Sequence, residues 1–337
     1  MKSAREWIAR TLRHQESDAV PYDFMFSPPA QKKAEAHYGP NLEETLFFPL
    51  RMTGPNSIKP LYANPAVFGA SVRDDFGVIW STSEIDRGAP IRPCLPGPSL
   101  SGYAFPNAKA EARFTDLAAW CAAQGTGYRI VWVGDLWERA GFLRGIENLL
   151  LDVALNRPFV ERLLRNLTDH ILATMDILFA RFEFEAIALS DDYGMQKAMI
   201  ISPADWRQLI KPRLSEIYGF AKKHGRDVFH HSCGNIVPII GDLIDIGLDI
   251  LHPIQPEAMD ILSLKKEFGG RVTFCGGLRT QDLLVTATPQ QVRAEVRRLK
   301  REMGRGGGYI LEPGITIQAD VPAENIVAMI DEALVPS

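Results

Sequence analysis

The sequence predicts an α/β chain folded as a single (β/α)8 barrel, with an irregular elaboration over residues 27–127. Three observations carry this. After Gly127, short and nearly continuous apolar runs alternate with helical patterns at roughly 20–45-residue intervals, the signature of βα units. Runs of that kind are what parallel strands buried on both faces look like. Six successive runs also end on a residue able to bind a metal or move a proton, and the C-terminal strand ends of a barrel form its active-site face. The chain has 337 residues, 46% apolar and 23% charged, which suits one barrel of this type.

Residues 4–13 place Trp7, Ile8 and Leu12 at helical spacing, and Ser17-Asp18 ends the pattern. Val20-Pro21-Tyr22-Asp23-Phe24 predicts a short strand whose proline is tolerable only at a start or an edge. Residues 27–127 mix short apolar pieces with proline and glycine. Pro93, Pro96, Pro98 and Pro106 mark a long surface loop. Strands are then predicted over 128–133, 186–189, 227–229, 248–251, 272–274 and 309–311. Helices are predicted over 146–156, 158–182, 203–223, 236–246, 260–268, 289–303 and 322–333. Counted together, seven or eight strands favour closure over an open sheet. No Gly-x-Gly-x-x-Gly follows the first strand, so an open dinucleotide-binding sheet lacks support. The run Gly304-Arg305-Gly306-Gly307-Gly308 follows a helix, and it reads as a helix end and turn.

Lys and Arg number 37 against 41 Asp and Glu, a net charge of −4 that gives no footprint for nucleic acid or an anionic membrane. No apolar run reaches the roughly 18–20 residues of a membrane span. The charged N-terminus lacks a secretory signal pattern, so a cytoplasmic protein is expected. In that setting Cys94, Cys121, Cys233 and Cys275 are not a disulfide framework. Cys94 and Cys121 read as structural.

The predicted strand ends carry Asp135, then Asp191-Asp192-Tyr193, His230-His231-Ser232-Cys233, His252, Cys275 and Glu312. His231 and Cys233 are two apart and point to one side of an extended strand, and both are good zinc ligands. Cys275 and Glu312 at neighbouring strand ends are the candidates to complete a metal site, with Asp191 or Asp192 behind them. His230 should face the opposite side and pack against the helices. Of Asp191 and Asp192, at most one should enter the site. Asp192 and Tyr193 are candidate acid–base residues. Trp80, Trp132 and Trp137 read as core residues or as the lining of an aromatic pocket.

Three stretches carry a family resemblance: FHHSCGNIVPIIGDLIDIGLDILHPIQPEAMD, LKKEFGGRVTFCGGLRTQDLL and GGGYILEPGITIQADVPAENIVAMIDEAL. They resemble the uroporphyrinogen decarboxylase-like superfamily, and more closely its branch of zinc-dependent corrinoid methyltransferases. Upstream, DDFGVIW, WERAGFLRGIENLLLDVALN and LSDDYGMQKAMIISPADWRQLIKPRL fit the same branch, so the resemblance covers nearly the whole chain. Decarboxylases of the family hold porphyrinogen carboxylates with an arginine-rich N-terminal segment. Here Tyr22-Asp-Phe-Met-Phe-Ser-Pro-Pro stands in its place, with no arginine.

The resemblance implies a (β/α)8 barrel and zinc on His231 and Cys233. The family's further Pro-Gly-Cys-Gly ligand is absent, because the chain reads Pro313-Gly314-Ile315-Thr316. Ile317-Gln318-Ala-Asp-Val-Pro322, beside the His-Ser-Cys-Gly motif, is similar to the O-demethylase components. The implied activity is methyl transfer from a small donor, such as a methoxylated aromatic, to a corrinoid (cobalamin) on a separate partner protein. His252 and Arg279 are the anion-contact residues for such a donor, and a homodimer is implied. The alternatives are a metal-free decarboxylase of the uroporphyrinogen type and a family member without catalysis.

Overall fold

Seven strands run parallel in one sheet of the computed structural model, which describes residues 3–56, 61–85 and 87–336. In chain order the ten strands are β1 (Leu50–Thr53), β2 (Ser71–Arg73), β3 (Ile79–Ser81), β4 (Pro90–Arg92), β5 (Tyr128–Gly134), β6 (Ala186–Ser190), β7 (Asp227–His231), β8 (Ile250–Ile254), β9 (Thr273–Leu278) and β10 (Tyr309–Pro313). The parallel sheet has the order β1-β5-β6-β7-β8-β9-β10, so consecutive strands are neighbours throughout. β2, β3 and β4 form a small antiparallel sheet of their own.

The six strands predicted after Gly127 are all present. β1 lies within the stretch read as irregular. Leu-Arg-Met-Thr carries too little apolar character to stand out, and Arg51 pairs with Glu43 at 3.5 Å. The predicted strand at 20–24 is reduced to a single parallel bridge, Tyr22 to Leu311. There the Leu311 amide donates to the Pro21 carbonyl at 2.7 Å, and the Asp23 amide to the Leu311 carbonyl at 2.9 Å. Pro21 can accept but not donate, which suits an outer position.

Residues 27–127 are more ordered than the sequence suggests. They hold the helices Pro28–Tyr38 and Leu117–Ala123 as well as β1 and the small sheet. The small sheet is fastened to the parallel sheet through helix Trp137–Arg144: Trp80 meets Phe142 edge-on at 4.8 Å. The helix predicted over 203–223 is two helices, Pro203–Leu209 and Lys211–Lys223. Pro212 has no N–H to continue the first ladder and sits instead in the opening turn of the second. Helix Pro289–Gly304 begins on a capping box between Thr288 and Gln291.

Side chains fill the inside of the curved sheet. Leu50, Tyr128, Ile130, Ala188, Phe229, Ile250, Cys275 and Ile310 form one cluster, completed by Ile8 from helix Ala4–Leu12. Burying Ile8 contributes about 1.5–3 kcal/mol, which ties the N-terminal helix across the end of the sheet. The larger cluster lies between the strands and the surrounding helices. Among the described residues, no helix is long and apolar enough to cross a membrane.

Candidate functional site

Strand register sets the site. Ser190 lies beside His231, and His231 beside His252, across β6, β7 and β8. Parallel neighbours in register share a face, so His231 and His252 point inward together. Their Nδ1 atoms are 2.9 Å apart. His230 points outward, fully buried, and is hydrogen-bonded to Tyr218 at 2.7 Å.

The loops after β6 and β7 meet backbone to backbone. A Cβ on Gly194 would stand 2.5 Å from the Asn235 amide nitrogen, and one on Gly234 2.3 Å from the Gly194 carbonyl carbon. Gly234 also has φ +79°. This close approach brings Asp192 to the Cys233 amide, which donates to its Oδ1 at 2.7 Å. Gly234→Ala is expected to cost at least about 2 kcal/mol in denaturant unfolding, from left-handed strain plus the backbone clash, and to spoil the approach of Asp192 to Cys233.

Two triads result. In the first, His231 Nε2 lies 3.5 Å from Cys233 Sγ and 3.6 Å from Asp192 Oδ1, in a partly open position. In the second, the Cys275 thiol donates to Glu312 Oε2 at 2.9 Å, and His252 Nε2 lies 3.3 Å from the same oxygen. This deeper triad is almost wholly buried. The metal ligands expected as one set, His231, Cys233, Cys275 and Glu312, are therefore divided between two triads. Asp192 joins the first and His252 the second.

Burial dominates the electrostatics. It depresses His231 to about 4, helped by His252, and depresses His252 to about 3. It raises Glu312 to about 7 and pushes the Cys233 thiol well up, reinforced by Asp192 and Glu138. Without a cation, this pocket therefore favours neutral imidazoles and a protonated thiol.

Asp191 does not enter the site. It accepts from the amides of Leu136 and Glu138, both at 2.9 Å, and so steadies the start of helix Trp137–Arg144. Tyr193 is fully buried and donates to Asp191 at 3.1 Å, its ring stacked on His230. Its hydroxyl is thus bound beside Asp191 and not beside His231. Arg279 pairs with Asp282 at 3.3 Å, and His252 is too deeply buried to contact a ligand at the mouth. Trp137 is core, and Trp80 donates its indole N–H to Asp74 at 3.0 Å. Trp132 packs edge-on against Phe229 and lines a cavity of about 60 Å3 with Phe76, Asp135, Arg139 and His170.

Two residues at the site went unread in the sequence. Glu138, at the start of its helix, accepts from Ser190 Oγ at 3.0 Å and is pushed well above the carboxylate range by burial, with Asp192 and Asp135 adding to it. Its place three residues after the strand-end Asp135 was the available signal. Arg87 bears electrostatically on both His231 and Cys233. It comes from the elaboration, where no periodic pattern marks it.

Comparison with known proteins adds a family and a fold. The protein matches 29% of residues over 130 positions of a uroporphyrinogen decarboxylase from Thermus thermophilus, covering 37% of this chain and 35% of that protein. A uroporphyrinogen decarboxylase from Methylococcus capsulatus is 33% identical over 89 residues, covering 26% and 24%. The matched stretches thus span about a third or less of the length of these curated relatives. A solved methyltransferase from Methanosarcina mazei superposes with a TM-score of 0.72 over 98% of both chains at 18% identity, which establishes a common fold. The model of the family "Uroporphyrinogen decarboxylase (URO-D)" matches residues 133–334, well over half of the chain and the strand ends from β5 to β10, and the chain belongs to that family.

Proposed function

We propose that the protein is a zinc-dependent methyltransferase of the URO-D family, moving a methyl group from a small methoxylated donor to a corrinoid on a separate protein. The observation that carries this reading is the Asp192–His231–Cys233 triad. Zinc bonds of about 2.1 Å to nitrogen and 2.3 Å to sulfur at a tetrahedral centre put the two ligand atoms about 3.6 Å apart. His231 and Cys233 stand at 3.5 Å. Three protein ligands and one open position are the pattern of a catalytic zinc. The fold shared with a methyltransferase supports the reading, and it also supports a complete (β/α)8 barrel over the whole chain, with residues 20–26 as the eighth strand and 27–127, apart from β1, at the mouth.

When bound, the zinc supplies a Lewis acid for the donor's oxygen. The corrinoid supplies the nucleophile for the methyl group. The chain's own residues do the rest. The Cys233 amide holds Asp192 in place. The oxygen that loses its methyl group keeps the bonding pair and takes a proton, and Glu138 holds one in its buried position beside Asp192. Arg87, whose charge bears on both His231 and Cys233, is a further cation for an anionic donor beside Arg279.

The names of the curated relatives favour a second reading, decarboxylation of a porphyrinogen without metal. Against it, the 22–29 segment has no arginine and carries the buried Asp23. Metal analysis of the untagged protein decides. About one zinc per chain, lost in His231→Ala, with donor-dependent methylation of an added corrinoid protein, supports methyl transfer. No metal, with porphyrinogen carboxylates lost on incubation, selects the decarboxylase.

A further inference from the structure

The second triad has no task in the proposed reaction, yet it touches the first through the His231–His252 contact. We infer that His252 and Glu312 are positioning residues: the hydrogen bond between His252 and His231, with the Glu312 carboxylate facing the far side of the His252 ring, turns the bare Nε2 of His231 toward Cys233 and Asp192, and it lets only one of the two triads hold a metal. The inference rests on the zinc reading of the outer triad.

The protons on the two imidazole rings decide which nitrogens can bind. A neutral imidazole has one N–H and one lone pair, and a ring nitrogen that binds a cation must offer the lone pair. If His231 Nε2 binds, the proton of that ring is on Nδ1. That atom lies 2.9 Å from His252 Nδ1, a hydrogen-bond distance only if one nitrogen donates and the other accepts. His252 Nδ1 therefore accepts, and the proton of its ring is on Nε2. This Nε2 is buried, has no hydrogen-bond partner and lies 3.3 Å from Glu312 Oε2, an ion-pair distance outside hydrogen-bond geometry. The Cys275 thiol donates to the same oxygen. The proton on His252 Nε2 then faces the Glu312 carboxylate, and His252 has no lone pair left for a metal.

The same constraint holds in reverse. A metal on His252 Nε2 puts a proton on His252 Nδ1, which donates to His231 Nδ1. His231 is then protonated on Nε2 and is lost as a ligand. Filling both triads would require one ring to shed both of its protons. Metal-binding histidines ordinarily donate their other N–H to a carboxylate, carbonyl or water. Here a second histidine is placed between ligand and carboxylate, and the strand register of β7 against β8 holds the two rings together.

The test uses the full chain freed of metal by chelation. Co2+ is titrated in, with thiolate-to-cobalt absorption as the readout, and zinc affinity is taken from competition. One cobalt per chain is expected, with the thiolate band lost in Cys233→Ser and kept in Cys275→Ser, whose hydroxyl still donates to Glu312. Glu312→Gln and His252→Leu should weaken zinc by about 10–100-fold. 15N shifts should place the proton of His231 on Nδ1 in the zinc-bound protein. Unchanged thermal unfolding of metal-free Glu312→Gln separates positioning from misfolding. Two cobalt ions per chain, or zinc bound by Glu312→Gln as tightly as by the parent, overturns the inference and leaves the zinc site standing. No uptake, or a thiolate band that survives Cys233→Ser and disappears in Cys275→Ser, overturns the zinc reading itself and the inference with it.

Discussion

Zinc affinity should rise about tenfold for each pH unit above about pH 8, and Cys233→Ser should abolish binding. Metal binds the thiolate, and burial together with Asp192 keeps the Cys233 thiol protonated far above neutrality. Each bound metal therefore displaces one proton from sulfur, and raising the pH favours binding. His231 adds nothing to the slope. Its value is depressed to about 4, so above about pH 5 it is already neutral and has no proton to lose. A slope of one is thus expected above about pH 8, and a steeper one below it where Glu312, raised to about 7, also gives up a proton, measured by competition titration and by proton release in an unbuffered calorimeter. A slope of two above about pH 8, or none, would remove the assignment of these two ligands. In Cys233→Ser the loss should be complete on the micromolar scale, and methyl transfer should fall with it.

Arg139→Met should cost about 3–5 kcal/mol. The Arg139 guanidinium is nearly buried and binds Asp74 at 2.6 Å and Asp135 at 3.0 Å. It also lies over the Phe76 ring at 4.5 Å. Asp74 belongs to the elaboration and Asp135 to the end of β5, so this residue fastens one to the other. Removing it leaves two buried carboxylates without a cation. Denaturant unfolding measures the cost, and Asp74→Asn in the same chain should recover part of it. A loss below about 1 kcal/mol would mean that water replaces the guanidinium, and that the elaboration is held by its apolar contacts alone.

Much of this was legible in the chain because parallel strands buried on both faces must be short apolar runs. β5 to β10 in the main sheet announced themselves in that way, and the chemistry-bearing residues marked their ends. β1 did not, since Arg51 satisfies its charge on Glu43 and on nearby carbonyls instead of revealing a buried strand. The pairing of His231 with Cys233 followed from strand alternation. The outward turn of His230 followed from it too, and the structure places it against Tyr218.

What the sequence by itself determined is the local part: where strands and helices lie, which side of a strand a residue takes, and that six strand ends carry residues able to bind a metal or move a proton. Tertiary structure alone decided how those ends combine. The division into two triads depends on the register of β7 against β8 and on the contact of Gly194 with Gly234. The entry of Asp192, Glu138 and Arg87 depends on loops and a helix remote in the chain. Periodicity is a property of neighbours along the backbone, whereas a coordination shell is a matter of a few tenths of an ångström between residues tens of positions apart. Only packing supplies that distance.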